Sequence, residues 1–242
     1  MTPESLVLLH QDDAFVAIDK PSGLLVHRTY LDRHEHTTAM QLLADRLGRP
    51  VYPAHRLDKS ASGVLLFALS PDAARLLGAQ FAEKTVGKRY IAIVRGHPEE
   101  SGCIDYPLKQ IRDKRFQAPR EASTPPQPAV TRYRTLARTE QPFAISRYPT
   151  SRYALVEAET GTGRYHQVRR HLDHIHHPII GDNKHGDYRH NRYFREQLGC
   201  DRLLLHAAWL SVEQPLTGQR LTLEAALPDD FREVRERLGL SE

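Results

Sequence analysis

Cysteine is scarce in this chain: Cys103 and Cys200 are the only two, and they lie far apart. Without a C-x-x-C pair there is no cysteine zinc ligand set, and two distant thiols make no disulfide framework. Such usage fits a reducing cytoplasm. Long hydrophobic runs are missing as well, and no apolar stretch approaches the length that spans a bilayer. The N-terminal MTPESLVLLHQDD has no basic region ahead of its short apolar core, so it does not read as a secretory signal. There is no G-x-x-x-x-G-K-[ST] loop, no G-x-G-x-x-G after a strand and no G-x-S-x-G elbow. These absences exclude the common kinase, dehydrogenase and esterase readings. His174, His176 and His177, like His34 and His36, lack an H-E-x-x-H pattern and carboxylates at ligand spacing, so no metal is expected.

What is present is ordinary globular composition, with 242 residues that allow one large domain or two small ones. The net charge of +4 is small. From Gly161 to Arg195, seven Lys or Arg and three Asp or Glu also give +4, so the remainder of the chain sums to zero. Seven of the 14 histidines fall in the same segment. The segment fits either a solvated face or a surface for a polyanion.

Hydrophobic periodicity gives the elements. SLVLLHQDD and FVAIDKPSG read as strands joined at Asp12-Asp13. Thr37–Gly48 is an amphipathic helix with a Thr cap and a terminal Gly. GVLLFAL (Gly63–Leu69) is a buried strand, and Ser70-Pro71 opens the helix DAARLLGAQFAEK. KRYIAIVRG (Lys88–Gly96), CIDYPL, AVTRYRTLAR, SRYALVEAET, RLLLHAAWLSV and RLTLEAAL are strand candidates. QAPREASTPPQPAV reads as an exposed loop, GRYHQVRRHLDHI (Gly163–Ile175) as a helix, and PDDFREVRERLG as a closing helix. Irregular interspersion of strands and helices favours a mixed α+β fold.

Three segments could carry chemistry. HRLDK (His55–Lys59) places Asp58 just before a core strand, where a carboxylate serves as nucleophile, base or ligand, or caps and pairs structurally with Arg56 or Lys59. Tyr90 shares a strand face with Ala92 and Val94; it is placed to stack on a base or to fill the core. In GRYHQVRRH, His166, Arg169 and Arg170 fall at i, i+3 and i+4, one face of a helix. A guanidinium there holds Asp58 ionised, grips a phosphate, or faces solvent.

Together these segments resemble the pseudouridine synthases related to ribosomal large-subunit pseudouridine synthase A. HRLDKSASGVLLFALS is similar to that family's H-R-L-D-x-x-T-S-G motif, KRYIAIVRG to its K-x-Y-x-A-x-V-x-G, and TGRYHQVRRHLDHIHHPIIGD to its third motif. AIDKPSGLLVH matches the opening K-P-x-G. Two departures stand out. Ala61 replaces the family's Thr, and DNKHG, with His185, replaces D-x-x-Y-G. The segments KPSGLLVHRTYLDR, PQPAVTRYRTLA and PIIGDNKHGDYRHNR, including the His185 change, are most similar to a branch that modifies uridine 65 in the acceptor/TΨC arm of tRNA.

The resemblance implies a mixed, largely antiparallel sheet with flanking helices and loops. It implies one catalytic domain over residues 1–242, with no room in front for an S4-type RNA-binding domain. It implies isomerisation of uridine to pseudouridine without cofactor or metal. Asp58 would be the essential carboxylate, Arg169 its ionic partner, and Tyr90 the residue that stacks on uracil and helps remove the C5 proton. Arg56 would displace the target base, and Arg164, His166, Gln167 and Arg170 would hold RNA. The expected partner is tRNA, met by a monomer in the cytoplasm. Two other readings stay open: the same reaction on 23S rRNA, and a non-catalytic RNA-binding protein that keeps the fold.

Overall fold

A computed structural model describes residues 2–28, 37–110 and 125–241. His34, His36 and most of the proline-rich loop lie outside the described residues. The strands are β1 (Val7–Gln11), β2 (Phe15–Lys20), β3 (Tyr52–Pro53), β4 (Ser62–Ala68), β5 (Gly87–Arg95), β6 (Ser101–Asp105), β7 (Val130–Gln141), β8 (Ser151–Thr160), β9 (Leu205–Glu213) and β10 (Arg220–Glu224). They form one ten-stranded sheet in the order β1-β2-β4-β9-β5-β8-β7-β6, with β3 beside β4 and β10 beside β9. Among the described residues these strands pair antiparallel, except β4 with β9. The mixed, largely antiparallel sheet is the one the sequence led us to expect.

The helices explain why the central strands are apolar throughout. On β2 and β4, Phe15, Ala17, Val64 and Leu66 point to one face, where α2 (Pro71–Glu83) supplies Ala73 and Leu77. Val16, Ile18, Leu65 and Phe67 point to the other, covered by Leu42 and Leu43 of α1 (Ala39–Leu47). A strand buried on both faces has no polar alternation, which is why GVLLFAL reads as a continuous run. The β5–β8 pair repeats the arrangement. Ala92, Val94, Ala154 and Val156 meet Val168 and Leu172 of α3 (Gln167–His174). Ile93, Tyr153 and Leu155 meet Phe194 of α4 (Tyr188–Leu198) and Phe231 of α5 (Asp229–Arg237). Local chemistry fixes the ends: Thr38 caps α1 through its hydroxyl, Ser70 caps α2 ahead of Pro71, and Gly48 closes α1 in the left-handed region.

Two features differ from the sequence reading. The helix expected from Gly163 begins at Gln167, because His166 adopts φ 52° and breaks the regular geometry before it. His166 therefore does not share a helical face with Arg169 and Arg170. Residues Tyr188–Leu198 form α4, a helix that the apolar pattern did not reveal; its buried positions are His190, Asn191 and Phe194.

The site sits where β4 meets β9 in a pairing two residues long. The parallel pairing of β4 with β9 joins Ser62 and Gly63 to His206 and Ala207. Gly63 has φ 113°, and a Cβ there would collide with the Ala207 carbonyl, so a side chain cannot be accommodated. Alongside, the β5–β9 register slips between Arg89 and Ile91, so that Tyr90 lies in a bulge. Bulges commonly re-aim a side chain beside a working site.

Candidate active site

A cleft of about 1030 Å3 opens at this junction. Eight Lys or Arg side chains and two Asp line it, and the described positions that meet there include Arg56, Asp58, Tyr90, Arg164, His166 and Arg169. Gln167 and Arg170 are not on its wall. The Gln167 amide is committed inside: its oxygen accepts from the Thr162 hydroxyl at 2.6 Å and the Arg164 backbone N–H at 3.1 Å, and its nitrogen donates to the Val130 carbonyl at 2.9 Å. It braces the loop that presents Arg164, Tyr165 and His166. Arg170 turns the other way and donates to the Lys109 carbonyl at 3.0 Å.

Asp58 lies in the loop between β3 and β4, with its side chain 27% exposed to the cleft. Arg169 reaches it from α3 with an Nη1–Oδ2 distance of 2.7 Å. The ion pair thus goes to Arg169, 111 residues away, and not to the neighbouring Arg56. The rest of the Arg169 fork is held by Asp182, which accepts from Nε and Nη2, each at 2.7 Å. Only a guanidinium can serve two carboxylates in this geometry. Burial opposes the charge on Arg169, but hydrogen bonds to Asp182 and Asp58 outweigh it and hold the group above its usual range. Burial likewise opposes the Asp182 carboxylate, and Arg169 outweighs it and holds it low. Asp182 was quoted in the third motif without a role; its signal was its position in PIIGD, and its partner is visible only in three dimensions.

Behind the loop, Lys20 is fully buried. Its ammonium donates to the carbonyls of Pro21, Leu24 and Lys59 at 2.8, 2.9 and 3.1 Å. One side chain thereby ties the K-P-S-G turn to the loop carrying Asp58. Burial, with Arg202 adding, lowers its pKa to about 7 against the pull of Asp58 and Asp19. Ser62 extends the bracing, since it accepts from Arg202 at 2.6 Å and lies 2.8 Å from His206 Nδ1.

Tyr90 lines the same cleft as Asp58. Burial, reinforced by Asp58, pushes its hydroxyl up to about 12, with the Thr160 hydroxyl as its hydrogen-bond partner. At neutral pH it is a neutral phenol beside a carboxylate, suited to stacking on a base. His166 sits with Nε2 3.8 Å from Asp58 Oδ2, and its ring stacks on Tyr165 at 3.7 Å. A single carboxylate fixed by a guanidinium at the bottom of a basic cleft can attack or stabilise an electron-poor anomeric carbon, and the rim can hold phosphates. Among the described residues no three His, Cys, Asp or Glu are grouped to hold a metal, and no helix is long and apolar enough to cross a membrane.

The chain is 52% identical over 237 residues to "tRNA pseudouridine synthase C" of Pectobacterium carotovorum subsp. carotovorum, covering 97% of this chain and 62% of that relative's length. It is 49% identical over 234 residues to the protein of that name in Salmonella typhi, covering 97% and 90% of the two chains. Among solved structures, human RNA pseudouridylate synthase domain containing 4 superposes with a TM-score of 0.73 at 29% identity, covering 98% of this chain and 94% of that one. A family model described as RNA pseudouridylate synthase matches residues 14–174, a span that holds Asp58, Tyr90 and Arg169, and the chain belongs to that family.

Proposed function

We propose that the protein isomerises uridine to pseudouridine in tRNA, at position 65 in the acceptor/TΨC arm, with Asp58 as the essential carboxylate. The observation that carries this reading is the geometry of Asp58: open to the cleft, and fixed on one oxygen by the Arg169–Asp182 clamp. The relatives named tRNA pseudouridine synthase C support tRNA as the substrate.

The reaction breaks the bond between C1′ and N1, turns the uracil, and joins C1′ to C5. The C5 proton leaves and N1 gains one, so substrate and product are isomers. Asp58 faces the anomeric carbon and attacks it or steadies its positive charge while the base is free. Arg169 pairs with the carboxylate and keeps it aimed. Tyr90 stacks on the uracil as a neutral phenol. A uridine in a stem must first leave the helix, at a cost of a few kcal/mol. Exposed Arg56 is placed to fill the space it vacates. Phosphate contacts from the basic rim, Arg164 and Lys184 among them, offset that cost. Residues 1–242 act here as one catalytic domain.

Mapping of pseudouridine after incubation with tRNA transcripts and, separately, with 23S rRNA tests the substrate. We expect modification at tRNA position 65 only. Modification confined to rRNA would keep the chemistry and reject the tRNA assignment; tight RNA binding with no modification would mark a non-catalytic binder.

A further inference from the structure

Asp182 holds more than Arg169. Its Oδ1 also accepts the backbone N–H groups of Lys184 and His185, at 2.9 and 3.0 Å. The turn carrying His185 is thereby tied to the same carboxylate that orients the partner of Asp58. From that turn the His185 ring meets His166 edge-on, with an interplanar angle of 85°. Its Nε2 lies 2.9 Å from His166 Nδ1, while the far nitrogen of His166 faces Asp58 Oδ2 at 3.8 Å. That last distance is too long for a hydrogen bond but short for a dipole beside a charge.

A hydrogen bond between two neutral imidazoles has one donor, and its direction decides what Asp58 meets. If His166 donated from Nδ1, the lone pair on its Nε2 would point at the carboxylate. If His185 donates from Nε2, His166 carries its proton on Nε2 and turns an N–H dipole toward Oδ2. Electrostatics favours the second arrangement. We propose that His185 is a positioning residue for the isomerisation: it donates to His166 and locks the Nε2–H tautomer, so that Arg169 and His166 both address Oδ2 of Asp58 and Oδ1 is left to the substrate. The proposal rests on the reading of Asp58 as the reacting carboxylate.

The surroundings keep both rings neutral, as a tautomer lock requires. Burial lowers the pKa of His166 to about 4; Asp58 opposes this, and Arg169, His185 and Lys184 add to it. Burial also lowers His185, with Asp182 and Asp173 opposing and Arg169 and Arg170 adding. The stack on Tyr165 and the left-handed backbone of His166 hold the ring in place.

The test joins ring nitrogen-15 NMR of the RNA-free protein with kinetics of two variants. His185→Phe keeps the ring and removes the donor; His185→Gln puts an amide donor near the same place. We expect wild-type His166 to be protonated on Nε2 and to lose that preference in His185→Phe. In that variant kcat should fall about 10-fold with KM within about twofold. His185→Gln should recover kcat to within about threefold of wild type. A proton on Nδ1 of wild-type His166, or a Gln variant as slow as the Phe variant, would overturn the proposal. The tautomer is read without RNA. A protein with Nε2–H on His166 that modifies no uridine would therefore refute the isomerase reading and not the lock.

Discussion

Replacing Arg169 with Met removes the charge shared by two carboxylates while keeping much of the volume. Arg169 and Asp182 are 5% and 1% exposed, so little water is available to take over. Removing one partner of a buried pair costs about 3–5 kcal/mol, because the other charge is left uncompensated. For a chain of this size each kcal/mol shifts Tm by about 2–4 °C, so a loss of about 10 °C is expected at pH 7.5. The pH dependence separates this cause from simple loss of packing. In the wild type the Asp182 pKa is held low, so its contribution is complete above the unfolded value near 4 and is lost only as pH falls through the folded value. In Arg169→Met burial, the largest influence, is opposed only by the backbone N–H groups of Lys184 and His185 and raises that pKa, so the penalty is largest at neutral pH and is relieved as the carboxyl takes up a proton. The Tm gap between the two proteins should narrow from pH 7.5 to pH 5. The gap is the quantity to read, because buried neutral histidines weaken both proteins below their unfolded pKa. Calorimetry at four pH values is sufficient. A gap that stays constant, or widens toward pH 5, would refute the reasoning.

Three further outcomes follow from the same geometry. In the wild type, His55 and His166 have pKa values lowered to about 4. The unfolded chain therefore takes up protons first, and urea midpoints should fall as pH is lowered from about 6.5 to 4; midpoints that rise as pH is lowered through that window contradict the assignment. Gly63→Ala drives a Cβ into the Ala207 backbone at φ 113° and should cost more than about 3 kcal/mol, seen as loss of soluble protein or a large fall in urea midpoint. Lys184→Ala removes an exposed cation from the cleft wall. Its plot of log affinity for RNA against log salt should be shallower by about 1, and an unchanged slope would place Lys184 away from the phosphates.

Much of the fold was legible because its signals are local. β4 is a continuous apolar run since α1 and α2 cover both of its faces, and α1 and α2 carry hydroxyl caps that the sequence displays openly. α4 was not legible: its buried side are His190, Asn191 and Phe194, a pattern without apolar period. Asp58, Tyr90 and Arg169 could be named as candidates from their motifs, but their meeting could not, since Asp58 and Arg169 are 111 residues apart. The face assigned to His166, Arg169 and Arg170 failed at one residue, the left-handed His166, which no periodic rule anticipates. The roles of Asp182, Lys20 and Arg202 were not legible because each acts through partners remote in sequence or through backbone carbonyls, and neither leaves a pattern.

The most direct test of the central claim is tritium release from tRNA labelled at C5 of uridine, measured in a single turnover with enzyme in excess. Wild type is compared with Asp58→Asn, which keeps the shape of the side chain and removes its charge. The account predicts release by the wild type and none above background by Asp58→Asn, with tRNA affinity within about threefold. Release by Asp58→Asn at a rate near wild type would contradict it.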